Sequence, residues 1–228
     1  VASTISNMVD FGGDTREALI ALCAALFSIV VYSVAASMFG IPTSESHSLI
    51  AGLSGAAIAI QNGVGGINMS EGVKVLYGLV ASLALGFCIG WVVCKGLTIL
   101  CRKMDRRRTN QFFTGAEIFG AAAMSFMHGA QDGQKFIGVL FLGVAFSNGM
   151  SSVSGVLIPV WLMVLCSAVM GIGTSVGGEK IIKAVGMDMV KLEKYQGFSA
   201  DLPAALCLLF SSLFGIPVST THTKTSAI

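Results

Sequence analysis

Two stretches of the chain read almost alike. Residues 39–48 are FGIPTSESHS, and residues 214–223 are FGIPVSTTHT. Six of the ten positions are identical, and a seventh, Ser48 against Thr223, keeps its hydroxyl. Each stretch sets a glycine and a proline (Pro42, Pro217) ahead of a polar run. That run is Ser44, Glu45 and Ser46 in the first copy, and Ser219, Thr220 and Thr221 in the second. Glycine permits an unwound turn and proline withholds a backbone donor, so a helix should stop at each. Amides freed at the break, joined by the hydroxyls, form a cradle for an anion. A helix starting there adds positive potential.

A third polar patch, HGAQDGQK, lies between them at residues 128–135. The i,i+3 spacing of Asp132 and Lys135 puts both on one helix face. Gln131 and Gln134 offer carbonyl and N–H ligands beside them. All three histidines, His47, His128 and His222, fall in these patches. His47 and His222 occupy matching places in the repeat and are expected to brace the loops through hydrogen bonds, not to hold a metal. Glu45 stands where the second copy has Thr220. A carboxylate in an anion cradle repels its guest unless it is protonated or holds a cation. The plainer readings are a self-compensating Asp132–Lys135 ion pair, Glu45 as an interfacial acid, and Lys224 as a loop-end charge.

The elements that must position these residues are apolar. Of 228 residues, 54% are hydrophobic and 11% charged, against roughly 25% charged in a soluble domain. The mean hydropathy is +0.80. So few charges cannot cover a soluble globule, which leaves an integral membrane protein. Residues 18–44 and 75–94 carry no charge and suffice as spans. Residues 49–60 are too short to cross and read as re-entrant. From Phe136 to Gly178 there are 43 uncharged residues, too many for one helix. The expected break is Ser147–Ser152. This gives one helix over 118–146, interrupted by the polar patch, and a span over 155–176. Residues 179–201 hold four bases and four acids and read as interfacial; 202–215 is a further span.

Six of the fourteen basic residues lie between Lys95 and Arg108. A juxtamembrane cytoplasmic loop explains such a run better than a nucleic-acid surface, because Lys and Arg accumulate on that side. The expected organisation is a remainder of a first transmembrane repeat at 1–94, a basic cytoplasmic loop at 95–115, and a second repeat at 116–228. The six cysteines have no metal-site spacing and read as small buried hydrophobes. The chain opens on Val1 without a basic leader, and a fragment of a longer chain is expected. Duplicated hydrophobic segments broken by Gly and Pro point to a transporter site near the bilayer midplane. Charges inside a membrane point to an ion pathway.

These residues resemble the inorganic phosphate transporter (PiT) family, more narrowly its low-affinity bacterial phosphate symporter branch. That family carries a GANDxAN-like element and a PVSTTH-like loop in each half. IPVSTTHT at 216–223 is similar to the second-half loop, IPTSESHS at 41–48 to the first-half loop, and 128–135 to the second-half GANDxAN element. The first-half element would precede Val1. The resemblance covers essentially the whole chain. It implies an all-α membrane fold, an inverted-repeat transporter with broken helices and re-entrant hairpins, in the cell membrane. It implies symport of inorganic phosphate with H+ or Na+, no enzyme activity, no cofactor and a possible homodimer.

By the same resemblance, Ser44, Glu45, Ser46, Gln131, Ser219, Thr220 and Thr221 bind substrate. Asp132, Gln134, Lys135 and Glu45 serve coupling, with Asp132 able to hold a transient Na+. Pro42, His47, Pro217 and His222 shape the hairpins. Among the departures from the family, Gln131 replaces its first Asn and Lys135 its last. An ammonium at a sodium-ligand position can take the sodium's place, so proton coupling, or cotransport of a divalent metal–phosphate complex, is expected. The alternatives are sulfate on the same fold and an intramembrane Ser/His hydrolase. The duplicated motif and the lack of a G-x-S-x-G elbow weigh against the hydrolase.

Overall fold

Helices form along the uncharged runs, and each Gly-Pro stretch ends one. A computed structural model describes residues 1–150, 157–176, 178–190 and 192–228. The helices are α1 (Ala2–Ser6), α2 (Thr15–Phe39), α3 (Glu45–Gln61), α4 (Met69–Cys101), α5 (Arg106–Ser147), α6 (Val160–Ser175), α7 (Glu179–Lys183), α8 (Lys194–Leu213) and α9 (Thr220–Ala227). A π-helical turn, Ala184–Met189, extends α7. No strand occurs among the described residues.

The helices are apolar outside and small inside. On α2 the buried stripe is Ala18, Ala21, Leu22, Ala25, Ile29 and Ala36, while Phe27, Val30, Val31 and Tyr32 face outward. Large exposed apolar side chains are tolerated against lipid, and small residues let helices approach closely. Helix α3 folds back along α2, where a Cβ on Gly52 would lie 3.3 Å from the Ala25 carbonyl oxygen. Buried Gly78, Ser82, Gly86 and Gly90 on α4 recur every fourth residue. A Cβ there would come within 2.7 Å of Pro217 O, 2.6 Å of Thr223 O and 2.8 Å of Ala227 O at Gly78, Gly86 and Gly90 respectively. So α4 clasps the second hairpin backbone to backbone.

Helices α2 and α4 are long and apolar enough to cross a membrane. Helix α6 has 16 residues and reaches that length only together with the bent segment after it. Several expectations are corrected. The polar patch at 128–135 does not interrupt its helix: α5 runs unbroken for 42 residues. Asp132 and Lys135 neutralise each other there, so the backbone ladder has no need to open. The segment 95–115 is mostly helical: α4 runs to Cys101, α5 starts at Arg106, and the turn is 102–105. Asp105 caps α5 by accepting from Arg107 N at 2.9 Å, and long basic side chains reach water from helix ends. Helix α6 begins at Val160, after Pro159. Of the expected break, Ser151 and Ser152 lie outside the described residues. Helix α8 starts at Lys194, earlier than 202, behind a capping box of Glu193 and Gln196. Of the cysteines, only Cys166 and Cys207 are buried; Cys23 and Cys88 sit on the outer surface.

The two Gly-Pro turns fold alike. Gly40 and Gly215 both take left-handed backbone, at φ 68° and 69°. Gly40 N donates to Ser37 O and Ile41 N to Ala36 O; Gly215 N donates to Ser212 O and Ile216 N to Ser211 O. Both satisfy helix-end carbonyls as a left-handed C-terminal cap does. Among the described residues, the only atom within 4 Å of a Cβ added at Gly215 is Val1 N, at 3.7 Å. The penalty for Gly215→Val is therefore one of backbone. It is expected at about 1–2 kcal/mol, read as a lowered Tm in detergent; an unchanged Tm would show that the turn does not need its glycine.

Candidate functional site

The repeated stretches meet head to head. Ser44 and Ser219 cap α3 and α9, accepting from His47 N at 3.3 Å and His222 N at 3.1 Å. Ser48 Oγ donates back to Ser44 O at 3.0 Å, as Thr223 Oγ1 does to Ser219 O at 2.8 Å. The two caps then bond each other, Ser44 Oγ to Ser219 Oγ at 2.8 Å. Ser46 Oγ donates to Val218 O, and Thr221 Oγ1 to Thr43 O, both at 3.3 Å. The rings of His47 and His222 stack with centroids 4.6 Å apart.

Every one of these contacts maps onto its counterpart when the two copies are exchanged. That is the signature of an isologous, two-fold interface, here within one chain. The pseudo-axis runs between Ser44 and Ser219 and between the two imidazoles. The histidines therefore brace the loops through each other's rings and through their backbone N–H groups. Among the described residues their Nδ1 atoms are buried without a hydrogen-bond partner, so the hydrogen bonds that brace the loops are those of the backbone N–H groups. Pro217 is buried under α4 and Pro42 is exposed.

One residue of α5 ties both hairpins together. The Lys135 ammonium donates to Asp132 Oδ1 at 2.5 Å, Ser46 Oγ at 2.6 Å and Val218 O at 2.7 Å. It has three hydrogens and three acceptors, so it is fully satisfied. One acceptor comes from each hairpin and one from its own helix. Lys135 and Asp132 are 2% and 1% exposed, so neither charge could stand alone there. The other carboxylate oxygen, Asp132 Oδ2, accepts from Thr220 Oγ1 at 2.9 Å and faces His128 Nδ1 at 3.3 Å.

The remaining expected residues lie around this hub. Gln131 is fully buried; its Nε2 donates to Ile216 O at 3.4 Å, and its Oε1 has no partner among the described residues. Glu45 opens α3 and is exposed, within electrostatic reach of Asp132, His128 and Lys135. Gln134 is half-buried and joins none of these bonds.

Two cavities reach the hub. One of about 450 Å³ is lined by Thr43, His128, Thr220, Thr221, Asp201 and Lys224. The other, about 850 Å³, shares His128 and Lys224 and borders Gly129, Gly133 and Ser167. Lys224 pairs with Asp201 at 2.9 Å between them. The smaller cavity also touches Glu117, Leu192 and Gly197, the last two around the start of α8. It therefore opens toward the face that carries the basic turn.

Sequence reading did not single out the carbonyls of Thr43 and Val218, which carry no side-chain signal. Nor did it single out Asp201, or His128 as a partner of Asp132. The i,i+4 spacing of His128 and Asp132 was a signal that could have found the last.

The pattern of PHO4, the phosphate transporter family, matches residues 1–105 and 99–228, two matches that overlap across the basic turn. A probable low-affinity inorganic phosphate transporter of Bacillus subtilis (strain 168) is 32% identical over 228 residues, spanning all of this chain and 68% of that protein. A protein of the same description from Rhizobium meliloti (strain 1021) is 32% identical over 229 residues, with 67% of its length covered. A solved structure, the sodium-dependent phosphate transporter, superposes with a TM-score of 0.88 at 20% identity, over all of this chain and 74% of that one. That likeness is one of fold, and it fits the paired hairpins. The chain belongs to the phosphate transporter family, as a helical protein of the cell membrane and not an enzyme.

Proposed function

We propose that the protein is a symporter that imports inorganic phosphate, free or as a divalent-metal complex, with protons as the coupling ion. The observation that carries the reading is the Lys135 ammonium bridging Asp132, Ser46 and Val218 O. A carboxylate, a hydroxyl and a carbonyl form a hard-oxygen set of the kind that holds a metal cation. Here a fixed positive charge fills it, which removes the need for sodium. The relatives' descriptions support phosphate as the substrate.

Phosphate offers strong acceptor oxygens that suit two facing sets of hydroxyls. Entry through the smaller cavity passes Lys224 and reaches Thr220 and Thr221 first. The anion then exchanges the Ser44–Ser219 bond for bonds of its own to Ser44, Ser46 and Ser219. Gln131 Oε1, a buried acceptor, suits the hydroxyl of protonated phosphate. Glu45 and the His128–Asp132 pair supply groups that can carry a proton, and Gln134 lies two residues beyond Asp132 on α5. The repeats at 1–94 and 116–228, joined through 95–115, rock about the pseudo-axis to expose the site alternately.

The test is labelled phosphate uptake by proteoliposomes of the full-length protein under a pH gradient without sodium. Wild type is expected to accumulate phosphate and Asp132→Asn is not. Uptake only after sodium is added would retain the transporter and reject the role given to Lys135. No phosphate uptake under either gradient, with sulfate uptake instead, would reassign the substrate.

A further inference from the structure

The largest cluster of positive charge takes no part in the site described above. It surrounds a separate cavity of about 510 Å³, enclosed by the end of α4, the start of α5 and the start of α8. Three cations line it, Arg102, Arg106 and Lys194, with one carboxylate, Glu193. The rest of the wall mixes apolar Leu97, Met104 and Phe113 with polar Thr98, Thr109 and Asn110.

The cations are largely free to bind. Arg102 is exposed and makes no ion pair or side-chain hydrogen bond among the described residues. Arg106 meets Glu193 only at 3.6 Å, with the two side chains 92% and 62% exposed, a pair worth little. Lys194 donates to a neutral group, Thr114 Oγ1, at 2.8 Å. The cavity therefore carries a surplus of positive charge with apolar side chains in its wall.

Its depth matters too. Helix α4 has 33 residues, about 50 Å at the helical rise, against a hydrocarbon core of about 30 Å. Its last turns leave the core at headgroup level. Lys and Arg concentrate on the cytoplasmic side, where the anionic lipids also attract them.

We propose that this cavity is a binding site for the headgroup of an anionic phospholipid. Arg102 and Arg106 take the phosphodiester oxygens by paired N–H donors, Lys194 adds a point charge, and Leu97, Met104 and Phe113 receive the first methylenes of the acyl chains. The site rests on the membrane setting alone and not on which ion drives transport. A filled cavity ties α4 of the first repeat to α5 and α8 of the second.

The experiment uses the purified full-length protein, delipidated in detergent and titrated with phosphatidylglycerol or phosphatidylcholine, with bound lipid counted by native mass spectrometry. Wild type should retain one phosphatidylglycerol per chain in preference to phosphatidylcholine. The triple variant Arg102→Gln/Arg106→Gln/Lys194→Gln should weaken that retention about a hundredfold, at roughly fivefold per charge. A charge-matched control, Lys95→Gln/Lys103→Gln/Arg108→Gln, alters basic residues of the same region that do not line the cavity and should lose less than about tenfold. Equal losses in the two triples would mean that charge is merely spread over the turn, and would overturn the proposal. So would inorganic phosphate or glycerol 3-phosphate binding as tightly as the lipid, which would make the ligand a soluble phosphate. Should the triple variant fail to fold, a phosphatidylglycerol with a photoreactive headgroup decides on wild type. Labels within 97–113 and 192–195 support the site, and labels confined elsewhere refute it.

Discussion

Lys135→Met is expected to abolish uptake and to cost about 3–5 kcal/mol of stability, because it leaves the Asp132 carboxylate buried without its partner. The carboxylate would keep Thr220 Oγ1 at 2.9 Å and His128 at 3.3 Å, while Ser46 and Val218 O would lose the donor that joins them across the axis. The double variant Asp132→Leu/Lys135→Met removes both charges. Replacing a buried pair by apolar residues is often neutral or stabilising, so its Tm in detergent should recover while its transport does not. That split separates a role in folding from a role in transport. Lys135→Asn probes the ammonium as a built-in cation: the shorter side chain uncovers Asp132, Ser46 and Val218 O as oxygen ligands. Uptake by this variant should become sodium-dependent. Full uptake without sodium would show that the ammonium does not stand in for a cation.

The second large effect is expected at Gly86. A Cβ there would lie 2.6 Å from Thr223 O, and a backbone oxygen inside a capped helix cannot swing aside. Gly86→Leu should therefore push α9 off α4, at a cost near the upper end of overpacking, about 3 kcal/mol. Because α9 carries Thr220 and Thr221 and is capped by Ser219, the shift would spoil the hairpin contact as well, and uptake should fall roughly tenfold or more. The control lies on the same helix: among the described residues nothing comes within 4 Å of a Cβ added at Gly96. Gly96→Leu should leave Tm and uptake unchanged. Equal effects at both positions would mean that helix propensity, and not the seam, controls the outcome.

Several features are legible in the amino-acid sequence alone. Charge-free runs become helices because a buried or lipid-facing backbone must bond to itself. The repeated Gly-Pro stretches announce two like turns, and both glycines adopt the left-handed backbone that only glycine takes without strain. The i,i+3 spacing of Asp132 and Lys135 foretells their pairing, since helix geometry alone sets it. Other features mislead for a local reason. A polar patch in an apolar helix looks like a break when its partners lie 83 to 89 residues away and cannot be seen. Likewise, a run of arginines looks like a loop although a single aspartate cap suffices to start a helix through it.

By itself, then, the sequence determined the class of protein, the duplication and the residue types at the site. Each of these follows from composition or from short-range backbone chemistry. Only the tertiary structure decided that the two copies face each other across one axis, with Ser44 on Ser219 and His47 on His222. Only it decided that a lysine on a third helix bonds to both. Those contacts join residues as much as 175 positions apart. They depend on how glycine stripes let α4 and the hairpins pack, and on a buried charge collecting every acceptor within reach.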